Sequence, residues 1–359
     1  MKRLFANFDW GLLISALVIL VFGLVIMASI AADFLPQQLI SAFLGLLFFF
    51  VFASLDYRIF LKISLLLFIG CLVFLLVPLF FGTITRGVLR WIQIGNFTLQ
   101  PTELVKPSLI IFFAAFFSSK QQLNFKEISR GIFCLLLPVF LIFFQPDLGS
   151  SLVVIFFWLA IILAAGLSWR WLLAGGLLLL FFLPFSWHFL QDYQQQRISS
   201  FLNPAQDPLG ASYNLIQAKV AVGSGQFWGR GLGRGTQSHL QFLPEHHTDF
   251  IFASFAEELG FVGSAILILL FAFLLWRILV IAQKTKDNFG FLISIGIFSF
   301  LFTQIFINIG INLGLLPVTG IPLPLVSYGG SSLIATMISL GIMENIASQA
   351  KVKYNIPHV

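Results

Sequence analysis

Three acidic residues lie where a polar stretch of the sequence passes into an apolar one, HHTDFIFASFAEELGFVG. Asp249 comes first, and Glu257 and Glu258 follow among apolar residues. Partial burial raises the pKa of a carboxyl group, and a raised pKa suits a general base. Asp249 is therefore a candidate general base, although the N-cap of a helix would also explain an aspartate at this position. Glu257 and Glu258 are predicted to have structural roles.

A second group of charges lies inside apolar sequence. Glu103 and Lys106 are three residues apart in PTELVKPSLII, so they share one face of a helix. Asp147, in QPDLG, precedes another apolar run, where a carboxylate suits a helix N-terminus. The predicted Glu103–Lys106–Asp147 network could hold helices together, and it could also shape a polar cavity.

Several residues could bind an anionic or sugar-containing substrate. Arginine makes planar, bidentate contacts with phosphate, and Trp91 could stack on a sugar or lipid or anchor the chain at a membrane interface. The predicted substrate-binding residues are Arg86, Arg90, Trp91, Lys106, Arg197, Gln217 and Lys219.

Four residues of types that can bind metals occur close together, since His246 and His247 lie between Glu245 and Asp249. This cluster raises the possibility of a metal site. The spacing matches no zinc motif. A hard cation, Mg²⁺ or Mn²⁺, that bridges Asp249 and a phosphate group fits better, because Mg²⁺ takes few protein ligands and several substrate oxygens. We predict no organic cofactor.

The composition restricts the elements that can position these residues. The chain has 359 residues, of which 59% are hydrophobic and 9% are charged. A soluble globule cannot bury this much apolar surface, and disordered chains have the opposite composition. The net charge of +6 is scattered between apolar runs, which argues against nucleic-acid binding. The sequence therefore predicts an all-α polytopic membrane protein with a single membrane domain over residues 1–359.

Apolar runs of about 20 residues are long enough to cross a bilayer as helices. About ten transmembrane helices are predicted, of which the fifth looks short and the eighth is long enough to bend or to begin as a re-entrant piece. They cover residues 10–31, 36–54, 60–81, 101–118, 131–145, 148–168, 171–190, 250–282, 288–312 and 330–350.

The connections between these spans carry two further predictions. Residues 191–248 form a long polar loop rich in glycine, which favours a functional segment over a plain connector. The prolines and glycines of LLPVTGIPLPLVSYGGSS, residues 315–332, predict broken or re-entrant backbone before the last helix. The positive-inside rule places both termini in the cytoplasm and the long loop outside.

Long, ordered blocks of the sequence resemble the SEDS family (shape, elongation, division and sporulation). These blocks are RWIQIGNFTLQPTELVK, QPDLGSSL, RISSFLNPAQDPLGASYNLIQAKVAVGSG, GTQSHLQFLPEHHTDFIFASFAEELG and TGIPLPLVSYGGSS, and the resemblance extends from about residue 10 to 350. The last block and the short tails are similar to the members that serve cell elongation. The sequence departs from the blocks of the family at two positions, and both departures are small. His246 replaces an expected Gln, and Lys106-Pro107 replaces Lys-Leu.

The resemblance implies a peptidoglycan glycosyltransferase of the bacterial cytoplasmic membrane whose substrate is lipid II, an undecaprenyl pyrophosphate that carries a disaccharide-peptide. The family's essential aspartate falls on Asp249, and its buried polar cluster falls on Glu103, Lys106 and Asp147. The implied partner is a class B penicillin-binding protein, whose helix is expected near the eighth and ninth spans and the last long loop. A lipid II flippase and a non-catalytic scaffold for that partner are the alternatives.

Overall fold

Helices make up most of the protein in a computed structural model, which describes residues 8–85, 88–95, 97–120, 123–171, 173, 175–177, 192–204, 207–208, 210 and 212–352. A 3-10 turn, Ala32–Phe34, precedes the second helix. The helices are α1 (Trp10–Ile30), α2 (Leu35–Ser54), α3 (Arg58–Phe81), α4 (Pro101–Ser118), α5 (Phe125–Phe144), α6 (Leu148–Ala164), α7 (Asp192–Leu202), α8 (Tyr213–Ser224), α9 (Thr236–His239), α10 (Ile251–Lys284), α11 (Asn288–Asn312) and α12 (Gly330–Val352).

The helix lengths confirm a polytopic membrane protein. Eight described helical segments are long and apolar enough to cross a bilayer, and α6 is an apolar helix of 17 residues. Together they match nine of the ten predicted spans. The predicted seventh span, 171–190, lies mostly outside the described residues. The fifth is longer than predicted because a capping box of Asn124 and Glu127 starts α5 before the apolar run.

Three helices form the centre of the bundle. In α4 and α11, 72% of the residues in the most apolar 18-residue stretch are buried. The share is 83% in α12 and 22–28% in α2, α3 and α5. The peripheral helices therefore present most of their apolar side chains outwards, as expected for contact with lipid. The polar residues of α4 and α11 face the interior of the protein.

One end of the bundle, which we call the β-sheet end, carries β1 (Thr83–Thr85), β2 (Val88–Ile94) and β3 (Phe97–Leu99) between α3 and α4. The strands form an antiparallel sheet in the order β1-β2-β3. The sequence analysis left this segment as a connection between two predicted spans and predicted no strands in it. Gly95, with φ of +60°, begins the turn between β2 and β3, and a Gly-Asn pair between two apolar strands is a hairpin signal.

The predicted long loop is partly helical and packs against a break in α10. Gly260 has φ of +66° there, so the eighth span bends as predicted. The amides of Arg230 and Gly231 donate to the carbonyls of Glu257 and Glu258, at 2.9 and 3.0 Å. The amides of residues 261 and 262 donate in turn to the carbonyls of residues 226 and 227. The loop thus satisfies backbone groups that the bend removes from the helical ladder.

The predicted broken segment before the last helix is confirmed. Residues 313–329 are non-helical, and Ile321, Val326 and Ser327 are buried. A Cβ atom on Gly23 of α1 would lie only 2.7 Å from the Cα atom of Val326, so the first helix and this segment are in close backbone contact. Irregular backbone at this depth is tolerated because protein surrounds it.

At the opposite end of the bundle, Asn345 of α12 fixes the connection between α2 and α3. Its Oδ1 atom accepts from the amide of Tyr57 at 3.0 Å, and its Nδ2 atom donates to the carbonyl of Ala53 at 2.8 Å. The Tyr57 hydroxyl donates to the carboxylate of Asp287, which precedes α11. Burial, and then this hydrogen bond, raise the pKa of the Tyr57 hydroxyl above its usual range.

Candidate active site

Asp249 lies at the β-sheet end, immediately before α10, and is partly buried. Its backbone carbonyl accepts from the side-chain amides of Asn308 and Asn312 of α11, each at 3.0 Å. Helix α10 begins at Ile251, with Phe250 as its N-cap residue. The interpretation of Asp249 as a helix cap is therefore wrong, and its carboxylate has a different environment.

The carboxylate of Asp249 is close to the broken segment. A Cβ atom on Gly320, whose φ is +75°, would lie 3.5 Å from Oδ2 of Asp249. The segment is fixed beside it, because Ser327 Oγ donates to the carbonyl of Thr248 at 2.6 Å and the amide of Tyr328 donates to that of His247 at 2.9 Å. The broken segment thus forms one wall of the region around Asp249.

Lys219 lies across the end of α11. A Cβ atom on Gly314 would come within 1.7 Å of Lys219 Cε, so the side chain covers the glycine backbone. Lys219 is exposed on α8. Asn312, two residues before Gly314, is bonded to Asp249, so the predicted base and this cation border the same helix end. The other predicted binding residues of the long segment, Arg197 on α7 and Gln217 on α8, are partly buried.

Two of the predicted binding residues lie in the sheet. Arg90 and Trp91 are partly buried in β2, which contacts α3 and α4. The Nε atom of Arg90 is buried and has no hydrogen-bond partner within the described parts of the chain. Arg86 lies outside the described residues.

Deeper in the bundle, Lys106 and Glu103 form a fully buried ion pair, with 2.5 Å between Nζ and Oε1. Gln304 of α11 donates to the other oxygen of Glu103 at 3.2 Å. The Lys106 side chain has no exposed surface, so direct contact with substrate, which we predicted for it, finds no support here. Its predicted place in a buried network agrees with this geometry.

Asp147 belongs to a neighbouring site. It is the N-cap of α6 and accepts from the amide of Ser150 at 3.0 Å. Gln100 and Thr102, at the start of α4, donate to its second oxygen at 3.0 and 3.2 Å. Asp147 and Lys106 are both described and form no ion pair within 4.0 Å. The predicted three-residue network is thus two adjacent groups joined through α4, because the carboxylate of Asp147 serves as a cap.

Glu257 and Glu258 connect α10 to the long segment. Both are fully buried. Glu257 accepts from the amide of Gln237 at 2.9 Å and from the Ser238 hydroxyl at 3.0 Å. Glu258 accepts from Ser29 Oγ at 2.7 Å and is 2.9 Å from His239 Nε2. These contacts are those expected of structural residues.

The histidines beside Asp249 are engaged in packing and hydrogen bonds. The ring nitrogens of His246 lie 3.0 and 3.3 Å from the carbonyls of Leu243 and Ile30, and the His247 ring stacks on Phe34. Throughout the described ranges, no group of three or more His, Cys, Asp or Glu could hold a metal ion. A cation here would therefore need oxygen ligands from a substrate.

The sequence analysis missed the three buried amides Gln304, Asn308 and Asn312. They recur every four residues, so they line one face of α11. All three have no exposed surface. The stripe runs from the Glu103–Lys106 pair to Asp249. Its signal was present in the sequence, because three amides at this spacing are unusual in a membrane helix that needs an apolar exterior.

Comparisons with known proteins identify relatives of this chain. The chain is 39% identical over 350 residues to the peptidoglycan glycosyltransferase MrdB of Escherichia coli K12, covering 96% of this chain and 95% of that protein. Its fold resembles, with a TM-score of 0.83 and 32% identity, a chain of a peptidoglycan synthase complex that coordinates polymerization and crosslinking, covering 96% of this chain and 98% of that one.

A second solved structure is also similar. The rod shape determining protein RodA of Thermus thermophilus aligns with a TM-score of 0.72 and 30% identity, covering 95% of this chain and 96% of that one. Residues 2–352 match the family FtsW/RodA/SpoVE, described as cell cycle proteins. The predicted SEDS resemblance, closest to its RodA type, is thereby confirmed: the chain belongs to the FtsW/RodA/SpoVE family.

Proposed function

We propose that this protein is a peptidoglycan glycosyltransferase that polymerises lipid II at its β-sheet end, with Asp249 as the general base. The family and the identity with MrdB support the glycosyltransferase activity. The placement of Asp249 carries the proposal for the site. Its partly buried carboxylate lies beside the broken segment, and two amides fix its backbone.

In the proposed reaction, Asp249 takes the proton from the 4-hydroxyl of the GlcNAc of one lipid-linked glycan. The hydroxyl oxygen then bonds to C1 of the MurNAc of the other glycan. The bond from C1 to the phosphate oxygen breaks, and undecaprenyl pyrophosphate leaves with the bonding electron pair. Attack opposite the leaving group inverts the α linkage to β. A base at this position contributes typically 10²–10⁴-fold to such a reaction.

Cations at the same end offset the charge of the leaving pyrophosphate. Lys219 is exposed beside the helix end that holds Asp249, and Arg197 on α7 and Arg90 on β2 are partly buried. Positive groups that are already in place when charge develops lower the barrier, because they need no reorganisation during the reaction. Lys219 is the first of these to test, since it is exposed and lies over Gly314, two residues after the Asn312 that binds Asp249.

Asp249 would help to hold a divalent cation, Mg²⁺ or Mn²⁺, which would supply positive charge near the pyrophosphate. The described side chains supply too few ligands to hold a metal without substrate, which matches the preference of Mg²⁺ for few carboxylates and several phosphate oxygens. Activity is then expected to fall in a chelator and to return with added Mg²⁺ or Mn²⁺.

A groove between α10 and α11 supports a helical partner. It has a volume of about 400 Å³ and an apolar lining that includes Phe271, Phe302 and Leu315. We propose that the transmembrane helix of a class B penicillin-binding protein occupies it. The proposed orientation places the β-sheet end outside the cytoplasmic membrane and both termini in the cytoplasm, because most of the described Lys and Arg residues lie at the opposite end.

The test is polymerisation of labelled lipid II by purified protein with its partner transpeptidase. Asp249→Asn is expected to reduce polymerisation at least about 100-fold, because the amide cannot accept the proton. Asp33→Asn is the matched control, since Asp33 is an exposed aspartate at the same end. Polymerisation that persists in a folded Asp249→Asn variant would exclude this base. Transfer of lipid II across liposomes without polymer would indicate a flippase, and growth supported by Asp249→Asn would indicate a scaffold.

A further inference from the structure

The amide stripe on α11 ends at the proposed base, and its last two members act on that residue. Asn308 and Asn312 both donate to the backbone carbonyl of Asp249, each at 3.0 Å. Two donors on one carbonyl fix the orientation of the peptide group between residues 249 and 250. The direction of the Cα–Cβ bond of Asp249 is fixed with it.

Asn312 also fills the position that a capping side chain would normally take at the start of α10. Its Oδ1 atom accepts from the amide of Ala253, in the first turn of the helix, at 2.9 Å. An aspartate just before a helix tends to bind these first-turn amides with its own carboxylate. Because an amide from another helix does so here, the carboxylate of Asp249 is directed towards Gly320 instead.

Burying the amide stripe costs free energy, and a role in holding Asp249 would explain why the stripe is present. Three buried amides replace apolar side chains in a helix that also packs at the centre of the bundle. A buried amide is tolerated when its hydrogen bonds are made. Asn312 makes hydrogen bonds with Asp249, Ala253 and Asn308. Asn308 makes hydrogen bonds with Asp249 and with the carbonyl of Ile321 in the broken segment.

We propose that Asn308 and Asn312 are positioning residues, which hold Asp249 in its reactive orientation by binding its carbonyl and by capping α10 in its place. The inference rests on the proposed function, because it assigns roles to residues that act through Asp249. When Asn312 is truncated, α10 can begin one residue earlier, and the carboxylate of Asp249 can turn to cap its own helix. The substrate site would remain, but the base would point away from it.

The chain offers a matched control for this effect. Asn345 caps the connection before α3 in the same manner, with Oδ1 on the amide of Tyr57 and Nδ2 on the carbonyl of Ala53, at the opposite end of the bundle. Asn345→Ala removes the same kind of hydrogen bonds far from Asp249. A loss of activity that follows from general destabilisation would therefore appear in both variants.

The experiment measures kcat and KM for lipid II in the reconstituted complex, together with thermal unfolding. Asn312→Ala is expected to lower kcat about 10- to 100-fold, as a misplacement of about 1 Å can do, and to leave KM within about twofold. Asn308→Ala is expected to lower kcat in the same direction. Asn312→Asp keeps the acceptor for the amide of Ala253 but turns an oxygen towards the carbonyls of Asp249 and Asn308, so its kcat is expected to stay low. Asn345→Ala is expected to lower the unfolding temperature and keep kcat within about twofold of the native value.

The outcomes separate the two proposals. If Asp249→Asn abolishes polymerisation while Asn308→Ala and Asn312→Ala keep the native kcat, the positioning role is wrong and the proposed function stands. An equal loss of kcat in Asn345→Ala, or a native kcat in Asn312→Asp, also contradicts the positioning role. If Asp249→Asn remains active, the proposed base itself fails. Adding Asn312→Ala to Asp249→Asn is expected to cause no further loss, because Asn312 acts through Asp249.

Discussion

Lys219 is the exposed cation that borders the same helix end as Asp249, and its role can be tested by a single substitution. Its charge is expected to attract the pyrophosphate of lipid II. Lys219→Gln should therefore raise KM for lipid II about tenfold, whereas Lys219→Arg keeps the charge and should stay nearer the native value. The measurement is initial polymerisation rate against lipid II concentration. Lys62→Gln, an exposed lysine at the opposite end, is the control.

The outcome that contradicts this role is a native KM in Lys219→Gln. An equal change in Lys62→Gln would attribute the effect to the overall charge of the protein. Raising the salt concentration provides an independent check, since exposed charges more than about 8 Å apart are largely screened at physiological ionic strength. The difference between native protein and Lys219→Gln should then become smaller.

At the residue scale, the sequence was informative where an ionised side chain lies in apolar sequence, because burying a charge costs free energy. Asp249 and the Glu103–Lys106 pair were found because ionised groups among apolar residues require an explanation. Asn308 and Asn312 were missed because a neutral amide carries a weaker signal. The contact of Lys219 with Gly314 could not be predicted, since it joins residues that are 95 positions apart in sequence. Only the fold brings those positions together.

At the scale of elements, Glu257 holds the start of the short helix α9 against α10. Its carboxylate accepts from the amide and the hydroxyl of Ser238 at 3.3 and 3.0 Å, and from the amide of Gln237. Glu257→Gln replaces an acceptor oxygen by an NH₂ group that faces these donors. The loss is expected to be about 1–3 kcal/mol, the cost of leaving a buried polar group unpaired.

The expected result is faster cleavage by trypsin after Arg230 and Arg234, because the segment that contains them is released from α10. Polymerisation should decrease in parallel. Glu127→Gln is the control, because Glu127 also binds a backbone amide at a helix start, that of Asn124 at 3.1 Å, at the opposite end of the bundle. If the cleavage rate of Glu257→Gln stays native, Glu257 does not hold the segment.

The elements themselves were predictable to different degrees. The long spans follow from runs of apolar residues, since length and hydropathy alone decide whether a helix crosses a bilayer. The short helices α8 and α9 and the strands β1–β3 were not predicted. They are stabilised by contacts with distant residues, such as Glu257 for α9, and short elements have little intrinsic stability. The break at Gly260 was anticipated only as a bend or a re-entrant start in a long span.

At the scale of the whole molecule, the groove between α10 and α11 sits on the outer surface of the bundle. Its lining includes residues of both helices and extends to Leu315 in the broken segment. A partner helix seated in the groove would therefore contact an element that also forms a wall beside Asp249. This continuity gives a physical route by which binding of a partner could influence the site.

Filling the groove tests this arrangement. Ala272 is exposed within the lining, so Ala272→Trp adds a large ring where a partner helix would pack and leaves the core unchanged. Co-purification of the partner transpeptidase is expected to fall at least about tenfold, because overlap of side chains prevents the helices from approaching to 8–10 Å. Leu136→Trp, on the exposed face of α5, controls for a bulky ring in contact with lipid. Native levels of the partner with Ala272→Trp would place the interface elsewhere. If binding is lost, the polymerisation rate of the isolated variant, compared with that of the isolated native chain, separates an effect on assembly from one transmitted to Asp249.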